Sequence, residues 1–123
     1  MDQHNSPPLV LLVDDDDDFR SALAANLEDD GYHVQQFARP ADVPPLQALG
    51  RPSMLIVDYQ MNGEDGLAFS DRFHAAHPDV PVLMVTAYWS KFVDLEVAAR
   101  GFITLRRKPI DYDELAQLLP ADR

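Results

Sequence analysis

Short apolar runs alternate with segments of helical spacing along the whole chain, and this alternation restricts the fold more than any other feature. Three runs, LVLLV (9–13), MLIVD (54–58) and PVLMVT (81–86), are almost continuously apolar for the length of a strand. Such strands are typical of parallel sheets whose two faces are both covered. YHVQQF (32–37) and FITLRRKP (102–109) complete a set of five. The pattern predicts an α/β fold in which helices cover both faces of an open, parallel five-stranded sheet.

The segments between these runs predict the helices. Apolar residues recur at helical spacing in residues 19–31, which follow the first strand. Pro44 and Pro45 interrupt the segment between the second and third strands, so we expect a short or broken helix there. A glycine-rich turn and a helix follow the third strand, and helices also follow the fourth and fifth. Asp111 and Glu114 have the spacing of a capping box at the start of the last helix.

A chain of 123 residues is expected to form a single domain with one core. Residues 1–8 are polar and proline-rich, and we expect them to form a flexible N-terminal arm. The domain is expected to span residues 9–119. Residues 120–123 would then be a C-terminal tail or the start of a linker.

Composition excludes several classes of function. The net charge of -11 argues against direct nucleic-acid binding by this domain and against an anionic membrane surface, because both need clustered Lys and Arg. There is no cysteine, and hence no disulfide framework, thiolate nucleophile or cysteine-based zinc site. No apolar run approaches the length of a membrane span, and the N-terminus lacks the pattern of a secretory signal. We therefore expect a cytoplasmic location.

Polar side chains stand at the ends of four predicted strands. Asp14 and Asp15 follow the first strand, Asp58 ends the third, Thr86 ends the fourth and Lys108 ends the fifth. Ligands of open α/β sheets bind outside the carboxyl ends of the strands. If the first and third strands are neighbours, the three aspartates converge on one crevice.

Three carboxylates in one crevice cannot all stay ionised without a cation. Hard oxygen ligands without Cys or His favour Mg²⁺, which needs only one or two carboxylates together with a phosphate oxygen. Lys108 and Thr86 could hold two further oxygens of a phosphoryl group. Asp58 is the natural nucleophile, since a carboxylate can form an aspartyl phosphate. The remaining task of the protein would be positioning and charge neutralisation.

Four motifs together resemble the response-regulator receiver domain of bacterial two-component signalling. They cover nearly the whole chain in the order and spacing of that family, and they read LLVDDD, LIVDYQMNGEDGL, VLMVTA and LRRKP. The resemblance implies a flavodoxin-like (βα)5 domain with the strand order 2-1-3-4-5, an order taken from the family.

The resemblance also implies a role for each site residue. Asp58 matches the phospho-acceptor, and Asp15 would ligate Mg²⁺ directly while Asp14 acts mainly through water. Gln60 would offer its backbone carbonyl to the metal. Thr86 matches the switch hydroxyl of the family.

Lys108 matches the lysine of the family. The partner that the resemblance implies is a sensor histidine kinase or phosphotransfer protein, which supplies the phosphoryl group from a phospho-His. An output domain or partner protein and a phosphorylation-dependent homodimer are further partners that the resemblance allows. It implies a signalling module with at most weak self-catalysed phosphorylation and dephosphorylation, and not an enzyme.

Two parts of the sequence need separate interpretation. Within the run of five aspartates, we expect Asp16 to be solvated or to lie behind the metal ligands, whereas Asp17 and Asp18 cap the helix that follows.

The predicted switch and interaction surface contains a departure from the family. Leu105 stands where receivers usually carry Tyr or Phe, and Tyr88 or Trp89 could substitute for that ring. Arg106 on the last strand could form part of a docking patch or discourage unwanted strand pairing.

Two alternatives remain. A receiver-like domain that is not phosphorylated and serves only in interactions is favoured weakly by Leu105. A phosphatase of the haloacid dehalogenase type fits LLVDDDD, but no acidic pair follows Lys108 and the acidic strand end at Asp58 precedes Thr86.

Overall fold

The computed structural model describes residues 7–120. Residues 1–6 and 121–123, which make up most of the predicted arm and tail, lie outside the described residues, so both remain predictions. No helix among the described residues has the length and apolar character needed to cross a bilayer.

Five parallel strands form the central sheet. They lie in the order β2-β1-β3-β6-β7, and a separate antiparallel pair, β4 and β5, follows β3. With that pair set aside, the order is the predicted 2-1-3-4-5, and the flavodoxin-like prediction is confirmed. The strands are β1 (Leu9–Val13), β2 (His33–Phe37), β3 (Met54–Val57), β4 (Gln60–Met61), β5 (Glu64–Asp65), β6 (Val82–Thr86) and β7 (Ile103–Arg107).

Within residues 7–120, four α-helices connect or follow the strands: α1 (Asp17–Asp29), α2 (Gly66–Ala76), α3 (Lys91–Arg100) and α4 (Tyr112–Ala116). Between β2 and β3 the chain forms two 3₁₀ turns, Pro40–Asp42 and Leu46–Ala48, in place of an α-helix. Proline has no N–H and disfavours helical geometry in the residue before it, which accounts for the broken crossover. Asp111 occupies the N-cap position of α4, but its side chain accepts no capping hydrogen bond, so the predicted capping box is wrong.

The sheet buries apolar side chains on both faces. Along β1, Leu11 and Val13 face the side covered by α2 and α3, whereas Val10 and Leu12 face the side covered by α1 and α4. All four are completely buried. Successive residues of a strand point to opposite faces, so a run with no polar residue is what a sheet covered on both sides requires.

The β4–β5 pair is a hairpin that the sequence analysis did not resolve from a glycine-rich turn. Asn62 (φ 50) and Gly63 (φ 84) form its two-residue loop, and both have positive φ. An Asn-Gly loop of this kind is the strongest short-range signal for a hairpin. The hairpin returns the chain to Gly66 at the start of α2, directly beside the end of β3.

Candidate functional site

The predicted site residues meet at the carboxyl edge of the sheet. Val13 pairs with Val57 in the parallel register of β1 and β3, so the residues that follow them, Asp14 and Asp58, stand side by side. The backbone N–H of Asp58 donates to the carbonyl oxygen of Val13 at 3.1 Å. Strand register alone therefore brings two of the three aspartates together.

An acidic cluster forms at this point. Asp14, Asp15 and Asp58 each place one carboxylate oxygen within 4.8 Å of those of the other two. Asp14 is only 1% exposed and Asp58 7%, while Asp15 is half-buried. Carboxylate oxygens are the ligands that Mg²⁺ takes from proteins, and their proximity fits the predicted metal.

Lys108 is the cation that faces this cluster. Its Nζ atom lies 2.8 Å from Oδ2 of Asp14 and 3.6 Å from Oδ2 of Asp58. The same atom lies 4.3 Å from the ring centroid of Phe19 in α1. One ammonium group faces three carboxylates, so part of the negative charge has no partner among these side chains.

Burial sets the protonation behaviour of the cluster. Loss of hydration raises the pKa of Asp58 above its ordinary value, and the charge of Asp14 raises it further, while Lys108 opposes both effects. Loss of hydration likewise raises the pKa of Asp14, against a hydrogen bond from Lys108. The ionised pair is thus destabilised by its surroundings, and a bound divalent cation would relieve that penalty.

Two backbone N–H groups orient the side chains of Asp58 and Thr86. The N–H of Tyr59 donates to Oδ1 of Asp58 at 2.7 Å, and the N–H of Tyr88 donates to Oγ1 of Thr86 at 3.0 Å. Thr86 is 1% exposed, and its carbonyl oxygen accepts from the N–H of Lys108 at 2.8 Å. The backbones of Thr86 and Lys108 are therefore fixed to each other.

The site also depends on a glycine. A Cβ atom on Gly66 would overlap the backbone carbonyl oxygen of Asp58 and lie 2.9 Å from that of Tyr59. Gly66 is the first residue of α2, and its N–H donates to the carbonyl oxygen of Tyr59 at 2.7 Å. The motif containing Gly66 was recognised in the sequence, but this close contact was not. Gln60 lies in β4, and the metal-binding role of its carbonyl remains a prediction.

The structure corrects the division of the aspartate run. Asp16 is the N-cap of α1, and its side chain accepts a hydrogen bond from the N–H of Phe19 at 3.0 Å. Asp17 and Asp18 lie in the first helical turn, where acidic side chains suit the helix dipole without capping it. Asp17 also pairs with Arg20 at 2.8 Å, and its exposed carboxylate does not belong to the cluster. The cap was misplaced because β1 ends at Val13 and the next two residues, Asp14 and Asp15, belong to the acidic cluster.

The predicted interaction surface divides into exposed and partly buried members. Tyr88 and Trp89 are 51% and 37% exposed, whereas Leu105 packs against the core on the α2–α3 side. Arg106 lies with its Nε atom 3.6 Å from Glu114 of α4.

A fifth residue belongs to this surface. The guanidinium of Arg107 lies 4.7 Å from the ring centroid of Trp89, a contact that no sequence pattern indicated. The ring of Tyr88 in turn stacks on that of Tyr59, with centroids 5.7 Å apart.

An open parallel sheet of strand order 2-1-3-4-5 with carboxylates and a lysine at its carboxyl edge is the arrangement that the resemblance to receiver domains implies. The sequence profile described as response regulator receiver domain matches residues 10–120. The chain belongs to the response regulator receiver domain family, and the resemblance noted from its motifs is confirmed.

Several relatives support this assignment. The nitrogen assimilation regulatory protein NtrX of Azorhizobium caulinodans is 33% identical over 109 residues, which are 86% of this chain and 24% of the relative. NtrC of Escherichia coli, a DNA-binding transcriptional regulator, is 32% identical over 111 residues, or 90% of this chain and 24% of the relative. The chain thus spans about a quarter of the length of these relatives. Sporulation initiation phosphotransferase F of Bacillus subtilis is 27% identical over 106 residues, which are 86% of this chain and 86% of the relative.

Solved structures show the same fold. The chemotaxis protein CheY4 of Vibrio cholerae superposes with a TM-score of 0.81 at 25% identity, over 92% of this chain and 96% of that one. A CheY-like receiver domain from Methanospirillum hungatei gives 0.84 at 22% identity, over 92% of this chain and 90% of that one.

Proposed function

We propose that this domain accepts a phosphoryl group on Asp58 from the phospho-His of a sensor histidine kinase or phosphotransfer protein. The observation that carries the proposal is the cluster of Asp14, Asp15 and Asp58 with Lys108 in salt-bridge contact. Membership of the receiver family supports it. The similarity to sporulation initiation phosphotransferase F of Bacillus subtilis, which this chain covers to 86%, also supports the proposal.

Mg²⁺ fits the cluster because the donors are all carboxylate oxygens and their charge exceeds that of the lysine. We infer that Asp14, Asp15 and Asp58 hold it, with the carbonyl oxygen of Gln60 as a further ligand. When bound, the ion neutralises charge on the phosphoryl oxygens as well as on the carboxylates.

The side chains of the protein supply positioning. A carboxylate oxygen of Asp58 forms a bond to phosphorus while the bond from phosphorus to the histidine nitrogen of the donor breaks, so that the group moves without a free intermediate. The Tyr59 N–H holds the carboxylate in one rotamer. The Lys108 ammonium and Thr86 hydroxyl bind phosphoryl oxygens that this transfer brings into the crevice.

The domain is proposed to be a phosphoacceptor module and not a turnover enzyme. Its acceptor is its own side chain, so each transfer modifies the protein and leaves a signal that lasts until hydrolysis. The output is proposed to reside in a longer protein, in a separate partner or in a phosphorylation-dependent dimer. The first of these is supported by NtrX and NtrC, because the chain covers only 24% of each relative.

Intact mass measurement tests the acceptor assignment. The chain is incubated with Mg²⁺ and acetyl phosphate, with Asp58→Asn as the test variant and Asp17→Asn as a control of equal charge change on an exposed residue. The parent and Asp17→Asn are expected to gain one phosphoryl group and Asp58→Asn none. Labelling of Asp58→Asn at parental stoichiometry would refute the acceptor. No labelling of folded parent by acetyl phosphate or by a panel of phosphorylated histidine kinases would favour the interaction-only alternative.

A further inference from the structure

The loop that joins β6 to α3 is held to the rest of the domain at two aromatic contacts. The ring of Tyr88 stacks on Tyr59, which follows the acceptor Asp58, with an interplanar angle of 10°. The ring of Trp89 packs on the guanidinium of Arg107 at the end of β7. One contact therefore lies beside the phosphoryl site and the other lies at the surface.

This loop is also connected to the reactive hydroxyl. Oγ1 of Thr86 accepts the hydrogen bond of the Tyr88 N–H, and Thr86 pairs in register with Arg107 across β6 and β7. The hydroxyl can donate to a phosphoryl oxygen on Asp58 while Oγ1 still accepts from the Tyr88 N–H. Any movement of Oγ1 towards that phosphoryl oxygen therefore draws Tyr88 with it. Trp89 is the next residue in the chain, so a shift of Tyr88 also displaces the Trp89 ring from the guanidinium of Arg107.

We propose that Arg107 is a positioning residue that holds the loop in its unphosphorylated position through Trp89 and thereby weakens the binding of a phosphoryl group at Asp58. The inference rests on the proposed function. A contact that exists only in the unphosphorylated state is lost on binding. Its free energy therefore opposes binding, and it lowers the affinity for the phosphoryl group by the corresponding factor. Cation–π contacts at exposed sites correspond to a factor of about two to five.

Two features of the chain make the contact measurable. Trp89 is the single tryptophan, so indole fluorescence reports this ring alone. Arg106 is the neighbouring residue on β7 and carries the same charge, but its guanidinium lies towards Glu114 of α4. Arg106→Gln therefore reproduces the charge change of Arg107→Gln without touching the ring.

The experiment titrates the full chain with beryllium fluoride, a phosphoryl mimic, in the presence of Mg²⁺. Affinity is read from amide chemical shifts, and exposure of Trp89 from quenching by acrylamide. Arg107→Gln is expected to bind about two- to fivefold more tightly than the parent, with Arg107→Lys between them and Arg106→Gln equal to the parent. Acrylamide is expected to quench Trp89 more readily in the free Arg107→Gln variant than in the free parent. In the parent, quenching is expected to increase only after beryllium fluoride binds.

A double-mutant cycle separates the contact from effects of either residue alone. Trp89→Ala is expected to tighten binding like Arg107→Gln, and the double variant to add nothing further. Equal affinity of Arg107→Gln and parent, or an equal gain in Arg106→Gln, would overturn the proposal. If the folded parent shows no shifts that depend on Asp58, the proposed function falls and this inference with it. Shifts that depend on Asp58 while Trp89 quenching stays constant would overturn the inference alone.

Discussion

Lys108 is closer to Asp14 than to Asp58: its Nζ atom lies 2.8 Å from Oδ2 of the first and 3.6 Å from Oδ2 of the second. The two carboxylates are therefore compensated unequally. For Asp14 the hydrogen bond from Lys108 is the first influence that opposes the effect of burial on the pKa. For Asp58 the charge of Asp14 adds to the effect of burial before Lys108 opposes it. Lys108 thus compensates Asp58, the proposed acceptor, less than it compensates Asp14.

Replacement of Lys108 by Met should destabilise the domain without Mg²⁺ by about 3 kcal/mol, because breaking a buried pair leaves its partner uncompensated. Added Mg²⁺ should recover part of this loss by taking over the compensation. Urea unfolding at neutral pH with and without the ion measures both effects. Lys91→Met is the control, since Lys91 is exposed on α3. A loss in Lys108→Met no larger than in the control would contradict the role of the salt bridge.

The two halves of the aspartate run should differ in metal binding. Asp15 contributes an oxygen to the cluster, whereas the side chain of Asp17 is 79% exposed and pairs with Arg20. Asp15→Asn should weaken Mg²⁺ binding at least tenfold, about 1.4 kcal/mol, while Asp17→Asn should leave it nearly unchanged. A thermal-shift titration with Mg²⁺ gives both constants. Similar constants for the two variants would reject the assignment of Asp15 as a ligand.

The raised pKa of Asp58 predicts how stability varies with pH. The folded state holds this proton more tightly than the unfolded state, so the contribution of Asp58 is fully present below about pH 4 and is lost as pH rises through the folded pKa. Asn cannot ionise and avoids that loss. Asp58→Asn without Mg²⁺ should therefore become more stable than the parent as pH rises, by about 1 kcal/mol or a few degrees in Tm at neutral pH.

Thermal unfolding at a series of pH values without Mg²⁺ compares parent and variant. Because the ion pairs with the ionised acceptor, Mg²⁺ should then stabilise the parent more and narrow or reverse the difference. A difference that is constant across the pH range would show that ionisation of Asp58 is not its cause.

The five strands and the edge at which the site lies were predictable because they follow from local signals. Each apolar run such as residues 9–13 carries its own strand signal, and the residues that end the runs identify the edge. The order of the strands came from the family. The β4–β5 hairpin was not predicted, although Asn62-Gly63 is a hairpin signal, because this segment was interpreted as a glycine-rich turn.

The contacts that the sequence did not indicate join residues far apart in the chain. Arg107 meets Trp89 only because β7 pairs with β6 in a particular register. Gly66 is required because α2 begins against the backbone at the end of β3. The spacing of residues in the sequence does not reveal how closely these two segments approach. Periodicity identifies which residues are buried, but it does not identify the residue that each one touches.

Gly66→Ala should be the most damaging small substitution near the site. The added Cβ would overlap the carbonyl oxygen of Asp58, and backbone on both sides of the contact leaves no flexible side chain to move away. The start of α2 must then separate from the end of β3, and we expect a loss of about 3 kcal/mol or more, in the range reserved for overpacking and strained backbone. The acceptor carboxylate should shift with its own backbone, so phosphorylation of any folded fraction should also slow.

Gly50→Ala is the matched control, because Gly50 has no atom within 4 Å of the added Cβ and is exposed. It should change stability by less than about 1 kcal/mol, with a gain possible through the unfolded state. Urea unfolding of both variants, with acetyl phosphate labelling of the folded protein, provides the comparison. If Gly66→Ala matched Gly50→Ala in stability and labelling, α2 could move from the strand end without consequence, and Asp58 would owe its position to the β1–β3 register alone.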